Sequence, residues 1–317
     1  MAAESEDTVA LVRFDGTSAD VVQTVSVGSL PHEIEGPHGL TVSPDGAFWF
    51  VSVAHGQPFG SVVKYATGGS EPLGAVELDL FPATMEMSPA TGLLYVANFN
   101  LHGNMEASSI SVVDPVAMTE VARTQTGVMP HGSRVSPDGR KHYSVAMMSG
   151  GLFEMDAVTF SIARRLQTGA GTKPTWVQPH PEHPFVYLAH NGADEIVEID
   201  LAQWAVARRF AAVGAPYNVA ITPDGNLLIA TLKAADATGI FDLEAGEEVS
   251  RIENSRRIPH GVVVSPDGRY AFVSVEGVGD EPGSVDIIDL HARRLVAVAE
   301  TGRQAGGIAF WKMEPDD

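Results

Sequence analysis

The chain has 317 residues, a formal net charge of −20 and no cysteine. The absence of cysteine excludes disulfide bonds, thiolate metal ligands and a cysteine nucleophile. The strong negative charge disfavours nucleic acid and anionic membranes as partners. Hydrophobic residues make up 44% of the chain, enough for a sizeable core, and no apolar run approaches the roughly 18 residues of a membrane span.

The first 30 residues contain two short segments that are typical of strands, residues 8–14 and 20–27. Residues 2–5 resemble only the end of a strand, so we expect native residues, such as a secretion signal or lipid anchor, to precede Met1. The N-terminal segment itself has neither the basic nor the apolar region of a signal peptide. We therefore predict a periplasmic or secreted protein whose signal lies outside this sequence, with a cytoplasmic location as the alternative.

From Pro37 onward one phrase recurs six times: a proline, about five residues, then a Ser-Pro or Thr-Pro turn or a close variant, usually followed by Asp-Gly. The copies begin at Pro37, Pro82, Pro130, Pro174, Pro216 and Pro259. The second prolines of successive copies are 45, 48, 44, 42 and 43 residues apart. A period of this size, built from short strands and tight turns, is typical of propeller blades, and the chain accommodates roughly seven of them.

We predict an all-β, seven-bladed propeller of four-stranded antiparallel blades in a single domain, residues 1–317. In the last repeat, residues 259–264 read as the innermost strand A, 265–268 as a hairpin turn, and 270–275, 284–289 and 295–300 as strands B, C and D. The first six predicted blades are 37–81, 82–129, 130–173, 174–215, 216–258 and 259–304. The seventh combines 305–317 with 1–30, so that the N-terminal strands pair with the C-terminal strand and close the ring.

The segment Tyr95-Val96-Ala97-Asn98, followed by a Val-Val-Asp strand and the Ser-Pro-Asp-Gly hairpins, resembles the YVTN-type seven-bladed propellers. These group with lactonase-like propellers and with the propeller domains of cytochrome cd1 nitrite reductase and nitrous oxide reductase. The resemblance covers nearly the whole chain. It implies the architecture strongly and leaves the activity open, with a lactonase-like hydrolase and a copper protein among the options.

Seven histidines are predicted on the face of the ring where strands A begin. Three follow the proline that opens a strand A, and three others come at or just after the end of a strand B; the seventh precedes the first repeat. They are His38, His131 and His260; His55, His102 and His190; and His32. Neutral imidazoles that converge from separate strands are typical of copper or zinc sites. We therefore predict a metal site at the upper mouth of the channel, most readily for copper, with zinc as the alternative.

Other side chains of this face are candidates for binding an organic ligand or for catalysis. We expect Tyr217, Trp176, Asn98, Asn100 and Lys233 to contact a ligand. Two carboxylates, Glu276 and Glu4, could activate water beside a histidine. The competing interpretation is that the histidines only cap strands by bonding to a neighbouring blade.

Three functions remain open from the sequence. The first is a propeller that binds a transition metal or small ligand, with redox activity if it is an enzyme. The second is a non-catalytic binding or assembly scaffold, whose protein partner would contact the long loops after strand B in blades one, two and six. The third is a lactonase-like hydrolase. The sequence has no nucleotide, flavin or haem motif.

Overall fold

A computed structural model describes residues 1–28, 33–55 and 59–314 of the protein. Its strands form seven antiparallel sheets arranged as blades around a central channel, which confirms the predicted propeller. His32 and the middle of the long loop in the first blade, residues 56–58, lie outside the described residues. Within the described ranges, no helix has the length and apolar character needed to cross a membrane.

Six blades contain four strands in chain order from the channel outward. They are β4 (Pro37–Val42), β5 (Phe48–Val53), β6 (Ser61–Ala66) and β7 (Pro72–Glu77); β8 (Pro82–Met87), β9 (Leu94–Asn98), β10 (Ala107–Asp114) and β11 (Thr119–Val128); β12 (Pro130–Val135), β13 (Lys141–Ala146), β14 (Gly151–Asp156) and β15 (Ile162–Gln167); β16 (Pro174–Pro179), β17 (Phe185–His190), β18 (Glu195–Asp200) and β19 (Ala205–Ala211); β20 (Pro216–Ile221), β21 (Leu227–Leu232), β22 (Ala237–Asp242) and β23 (Glu247–Glu253); β24 (Pro259–Val264), β25 (Tyr270–Val275), β26 (Ser284–Asp289) and β27 (Arg294–Glu300).

The seventh blade closes the ring across the two ends of the chain. Its N-terminal part is β1 (Ala2–Ala3), a 3-10 turn (Glu4–Glu6), β2 (Thr8–Phe14) and β3 (Ala19–Ser26). The C-terminal segment supplies the innermost strand, because Ala2 N donates to Gly307 O at 2.8 Å and Gly306 N donates to Ala2 O at 2.9 Å. The predicted pairing of the N-terminal strands with the C-terminal strand is therefore confirmed.

The repeated Ser-Pro-Asp-Gly phrase forms the turn between the first two strands of a blade. In the first blade, Phe48 N donates to the hydroxyl of Ser43 at 2.9 Å, and Ala47 N donates to the carboxylate of Asp45 at 3.0 Å. Gly46 has a φ of +69°, a left-handed conformation that glycine adopts without strain. The side chains of the phrase thus satisfy backbone groups that the tight turn leaves without a ladder partner.

The glycine of the Pro-His-Gly phrase lets neighbouring blades approach closely around the channel. A Cβ atom on Gly39 would lie 1.8 Å from Ala83 O, and one on Gly307 would lie 2.0 Å from His38 O. Hydroxyl groups of second strands complete the contact: Ser52 donates to Ala83 O at 3.2 Å, and Thr231 donates to the carbonyl of the sixth blade's first strand at 2.9 Å. These contacts hold the first strands at a fixed distance from one another, so side chains at their starts share one small space.

Candidate site at the upper mouth of the channel

Four rings close the upper mouth of the channel, and all four belong to the second residue of a blade's innermost strand. Neighbouring ring centroids are 5.7, 5.3, 4.7 and 5.5 Å apart around the circuit. In order, the members of this ring quartet are His38, His131, Tyr217 and His260. The three imidazoles are buried, with 7%, 1% and 6% of their surface exposed. The three histidines from the equivalent strand starts are thus brought together.

Hydrogen bonds determine the protonation of His131. Its Nδ1 lies 3.0 Å from Thr175 O, which can only accept, so Nδ1 carries the proton. Its Nε2 lies 2.9 Å from the hydroxyl of Tyr217 and accepts from it. Burial, reinforced by the charge of His38, lowers the pKa of His131 to about 3, so this ring is neutral near neutral pH. Burial also raises the pKa of Tyr217, with Glu276 adding to the effect.

On one side of the quartet, the carboxylate of Glu4 binds two imidazoles. Its Oε2 lies 3.2 Å from Nδ1 of His38, and its Oε1 lies 2.6 Å from Nε2 of His55. His55 extends the chain outward, since its Nδ1 lies 2.9 Å from Nε2 of the exposed His102. Burial on its own would raise the pKa of Glu4, but the charges and hydrogen bonds of the two histidines outweigh it and lower the pKa to about 2.

Next to Glu4, Lys233 and Glu276 form an ion pair beside the quartet. The backbone of Gln304 links the two glutamates, because Glu4 N donates to Gln304 O at 3.1 Å and Gln304 N donates to Glu276 O at 3.2 Å. Lys233 Nζ lies 2.7 Å from Glu276 Oε1 and 4.0 Å from the ring centroid of Tyr217. The same carboxylate oxygen is 4.0 Å from Nε2 of His260. Burial, together with the charge of Lys233, lowers the pKa of His260 well below its ordinary value. Two carboxylates and one ammonium group therefore lie beside a floor of three imidazoles and one phenol ring.

Two solvent-shielded imidazole nitrogens of the quartet have no hydrogen-bond partner among the described residues. They are Nε2 of His38 and Nδ1 of His260. In the uncharged tautomer that donates from Nδ1 to the carboxylate of Glu4, Nε2 of His38 has a lone pair. A buried polar atom without a partner typically costs about 1–3 kcal/mol, so these atoms mark the floor as a polar site rather than ordinary core.

The other predicted site residues do not meet at the mouth. His190 bonds through Nδ1 to Glu195 and through Nε2 to Thr168, at 2.9 and 3.0 Å. Asn98 donates within its own blade to two serines of β10. Asn100 takes a left-handed conformation, φ +59°, in the loop after β9. Trp176 is buried in the channel with its ring 6.1 Å from that of His131.

Whether a residue at the end of a second strand faces the mouth depends on its position relative to the residue that pairs with the opening proline. His190 and Asn98 pair directly with the prolines that begin β16 and β8. Lys233 and Glu276 come one residue after the equivalent pairing positions. Successive side chains of a strand point to opposite faces, so the later residue faces the mouth and the earlier one faces the blade.

Two phenylalanines of the site were missed from the sequence. Phe81 packs against the rings of His38 and His55 at 5.1 and 4.8 Å, and Phe99 packs against His131 at 4.9 Å. Phe99 comes one residue after the pairing position, as do Lys233 and Glu276, and this register was the signal that could have identified it. The two rings give the mouth an aromatic wall on the side of the second blade.

The predicted metal ligands are close together but do not form a ready coordination shell. Among the residues that the structure describes, no group of three or more His, Cys, Asp or Glu side chains is arranged to hold a metal ion. His131 already uses Nε2 to accept from Tyr217. His55 Nδ1 and His102 Nε2 are 2.9 Å apart, close enough for the two imidazoles to share a proton or to bind one metal ion.

The chain belongs to the YNCE-like β-propeller family, whose model matches residues 101–297, more than half of its length. Among solved structures it is similar to a chain of hydrazine synthase from Kuenenia stuttgartiensis, with a TM-score of 0.76 and 21% sequence identity. The match covers 90% of this chain and 92% of that one. At this identity the likeness shows the fold alone. No curated protein sequence matches the chain significantly.

Proposed function

We propose that the protein is a binding propeller that takes a small organic cation at the upper mouth of the channel, above the ring quartet. The observation that carries the proposal is the charge arrangement on a buried aromatic floor. Glu4 and Glu276 lie on neighbouring blades, linked through the backbone of Gln304, and Lys233 pairs only with the second of them. Apart from the histidines, two carboxylates meet one ammonium group, so the mouth carries a net negative charge unless the histidines are protonated.

The walls of the mouth suit a cation with an apolar body. The ring of Tyr217 already holds Lys233 Nζ at 4.0 Å, a cation–π contact of about 0.5–2 kcal/mol, and the buried rings of Phe81 and Phe99 add apolar surface beside the mouth. Glu4 is buried and Glu276 half-buried, which reduces screening by solvent, so their attraction for an ammonium group exceeds that of surface carboxylates. A protonated amine with an aromatic or branched substituent combines both interactions.

Calorimetric titration with benzylamine, benzyl alcohol and benzoate tests the proposal. We expect benzylamine to bind, benzyl alcohol to bind more weakly by about tenfold or more, and benzoate not to bind. Glu276→Gln should weaken the binding of benzylamine and, by leaving Lys233 without its partner, strengthen the binding of benzoate. Glu244→Gln makes the same change in an exposed turn between β22 and β23 and should leave all three unchanged. Equal affinity for the amine and the alcohol would refute a cation site.

A transition-metal ion, copper above all, is the second candidate. The 2.9 Å spacing of His55 Nδ1 and His102 Nε2 favours it, because two imidazole nitrogens at this distance can share one ion. Glu4 would orient His55 from behind through the other ring nitrogen, an arrangement common in metal sites. Elemental analysis and titration with Cu²⁺ and Zn²⁺ test it, with His102→Gln expected to lose the ion and His291→Gln, an exposed turn histidine, expected to keep it.

The scaffold and hydrolase alternatives rest on other observations. Exposed apolar side chains lie on the long upper loops, among them Phe59, Leu101, Met105 and Val278. They support a protein partner on this face. A lactonase-like hydrolase stays a prediction, for which the Glu4–His55 pair is the available base. Turnover of a sugar lactone that is lost in Glu4→Gln would favour it over pure binding.

A further inference from the structure

The lower half of the channel contains a second polar group, separate from the upper mouth. The fifth residues of the innermost strands in blades two, three and four are Glu86, Arg134 and Gln178. The corresponding residues of the other blades are smaller or apolar: Thr41, Ala220, Val263 and Ala309. Three long polar side chains therefore lie on adjacent strands at one level of the channel.

A cavity of about 300 Å³ opens beside this group at the bottom of the ring. Glu86 and Gln178 line it, together with the apolar side chains of Met87 and Ile221, whereas Arg134 lies next to the lining residue Val135 and not in the lining itself. Prolines of the hairpin turns, including Pro137, form its rim. A space of this size accommodates a small ligand, and a mixed polar and apolar lining is typical of such sites.

Arg134 is a cation with most of its hydrogen-bonding capacity unused. Its guanidinium stacks on the ring of Trp176 at 4.5 Å and donates one hydrogen bond, from Nη1 to Ser133 O at 2.9 Å. Among the described residues, no carboxylate oxygen lies within 4.0 Å of it. A guanidinium has five N–H donors in a planar fork that matches a carboxylate, and stacking on an aromatic ring holds that fork in place.

Glu86 is the nearest complementary charge, but it does not pair with Arg134. Its Oε2 accepts from the backbone N of Val135, which is the hydrogen bond that fixes the carboxylate. Burial raises the pKa of Glu86 and lowers the pKa of Arg134, and the attraction between the two charges partly offsets both effects. The channel thus keeps a separated cation and anion, each without a direct counter-ion.

We propose that the lower channel binds a small zwitterion of amino-acid size, with its carboxylate on Arg134 and its ammonium group on Glu86. The ligand bridges the two charges that the protein leaves apart. Its short aliphatic side chain contacts Met87 and Ile221. A plain anion would gain only the interaction with Arg134 and would meet the field of Glu86 and of a chain with net charge −20.

Calorimetric titration with valine, isovalerate and isobutylamine separates the contributions of the two charges. These probes share one carbon skeleton and carry both charged groups, the carboxylate alone or the amine alone. In the Glu276→Gln background, which weakens amine binding at the upper mouth, we expect valine to bind at least about tenfold more tightly than either of the others, the measure of two charge-assisted contacts against one. Absence of binding by valine, or equal binding of all three probes, would overturn the proposal.

Variants assign the contacts and separate this site from the upper mouth. Glu86→Gln should weaken the binding of valine and, by removing the repulsion of Glu86, strengthen that of isovalerate until the two are about equal, whereas Arg134→Gln should weaken both. Arg134→Lys keeps the charge but loses the planar fork, so it should weaken the binding of valine and isovalerate less than Arg134→Gln does. It also tests the site if Arg134→Gln prevents folding. Glu276→Gln, in the upper mouth, should leave the affinity for valine unchanged. Unaltered valine binding in both Arg134 variants would contradict the assignment.

Discussion

Replacing His142 by phenylalanine should make the stability of the propeller less dependent on pH. His142 lies in β13, is 1% exposed and stacks on the ring of Tyr95 with the centroids 5.1 Å apart. Neither ring nitrogen has a hydrogen-bond partner among the described residues. Burial, assisted by the charge of Arg134, lowers the pKa of His142 from 6.5 to about 3. Phenylalanine keeps the stacked ring and removes the titrating group.

The magnitude follows from the difference between folded and unfolded pKa values. The unfolded chain binds a proton on this histidine below pH 6.5, whereas the folded chain does so only near pH 3. The free energy of unfolding therefore has its full value above pH 6.5 and decreases by about 1.4 kcal/mol per pH unit as the pH falls from 6.5 towards about 3. Between about pH 8 and about pH 5 the loss due to His142 alone is about 2 kcal/mol.

Urea unfolding of the parent protein and of His142→Phe over this pH range measures the effect. The variant should be as stable as the parent or slightly more stable near pH 8, because two unpaired polar atoms are removed from the core. Near pH 5 it should exceed the parent by about 2 kcal/mol more than it does at pH 8. His291→Gln, in an exposed turn, is the control and should follow the parent. Parallel stability curves for His142→Phe and the parent would refute the reasoning.

Three further changes test the contacts around the channel. Tyr217→Phe leaves Nε2 of His131 without a donor and should lower the free energy of unfolding by about 1–3 kcal/mol, measured in urea near neutral pH. Gly39→Ala forces a Cβ atom against Ala83 O, and a loss of about 3 kcal/mol is expected in the same assay; a neutral result would show that the blades can move apart. Trp311→Ala removes the partly buried ring that bonds the C-terminal segment to the first blade, and should lower the melting temperature through a loss of about 2 kcal/mol.

The ring quartet was partly predictable because the repeat makes its members equivalent. His38, His131 and His260 follow a proline in three copies of one phrase, and Tyr217 holds the same place in a fourth. Equivalent positions in repeated blades share a distance from the axis, so convergence followed from the fold. The orientation of each ring did not follow, because it depends on partners such as Glu4 and Thr175 from other blades.

The sequence could not distinguish side chains that differ by one step along a strand. His190 and Glu276 both come at the end of a second strand, yet the first faces its blade and the second faces the mouth. That difference depends on which residue pairs with the opening proline, and strand ends are not resolved to one residue by composition or spacing.

By itself, the sequence determined the number and order of the blades and the place where the ring closes, because each copy of the phrase encodes its own turn and its own close contact. Only the tertiary structure decided which charges meet in the channel. Glu4 reaches His38 and His55 across 34 and 51 residues of chain, and His131 reaches Tyr217 across 86. Local chemistry specifies a blade, but a contact between blades depends on the distance and rotation that all seven adopt together when their cores pack.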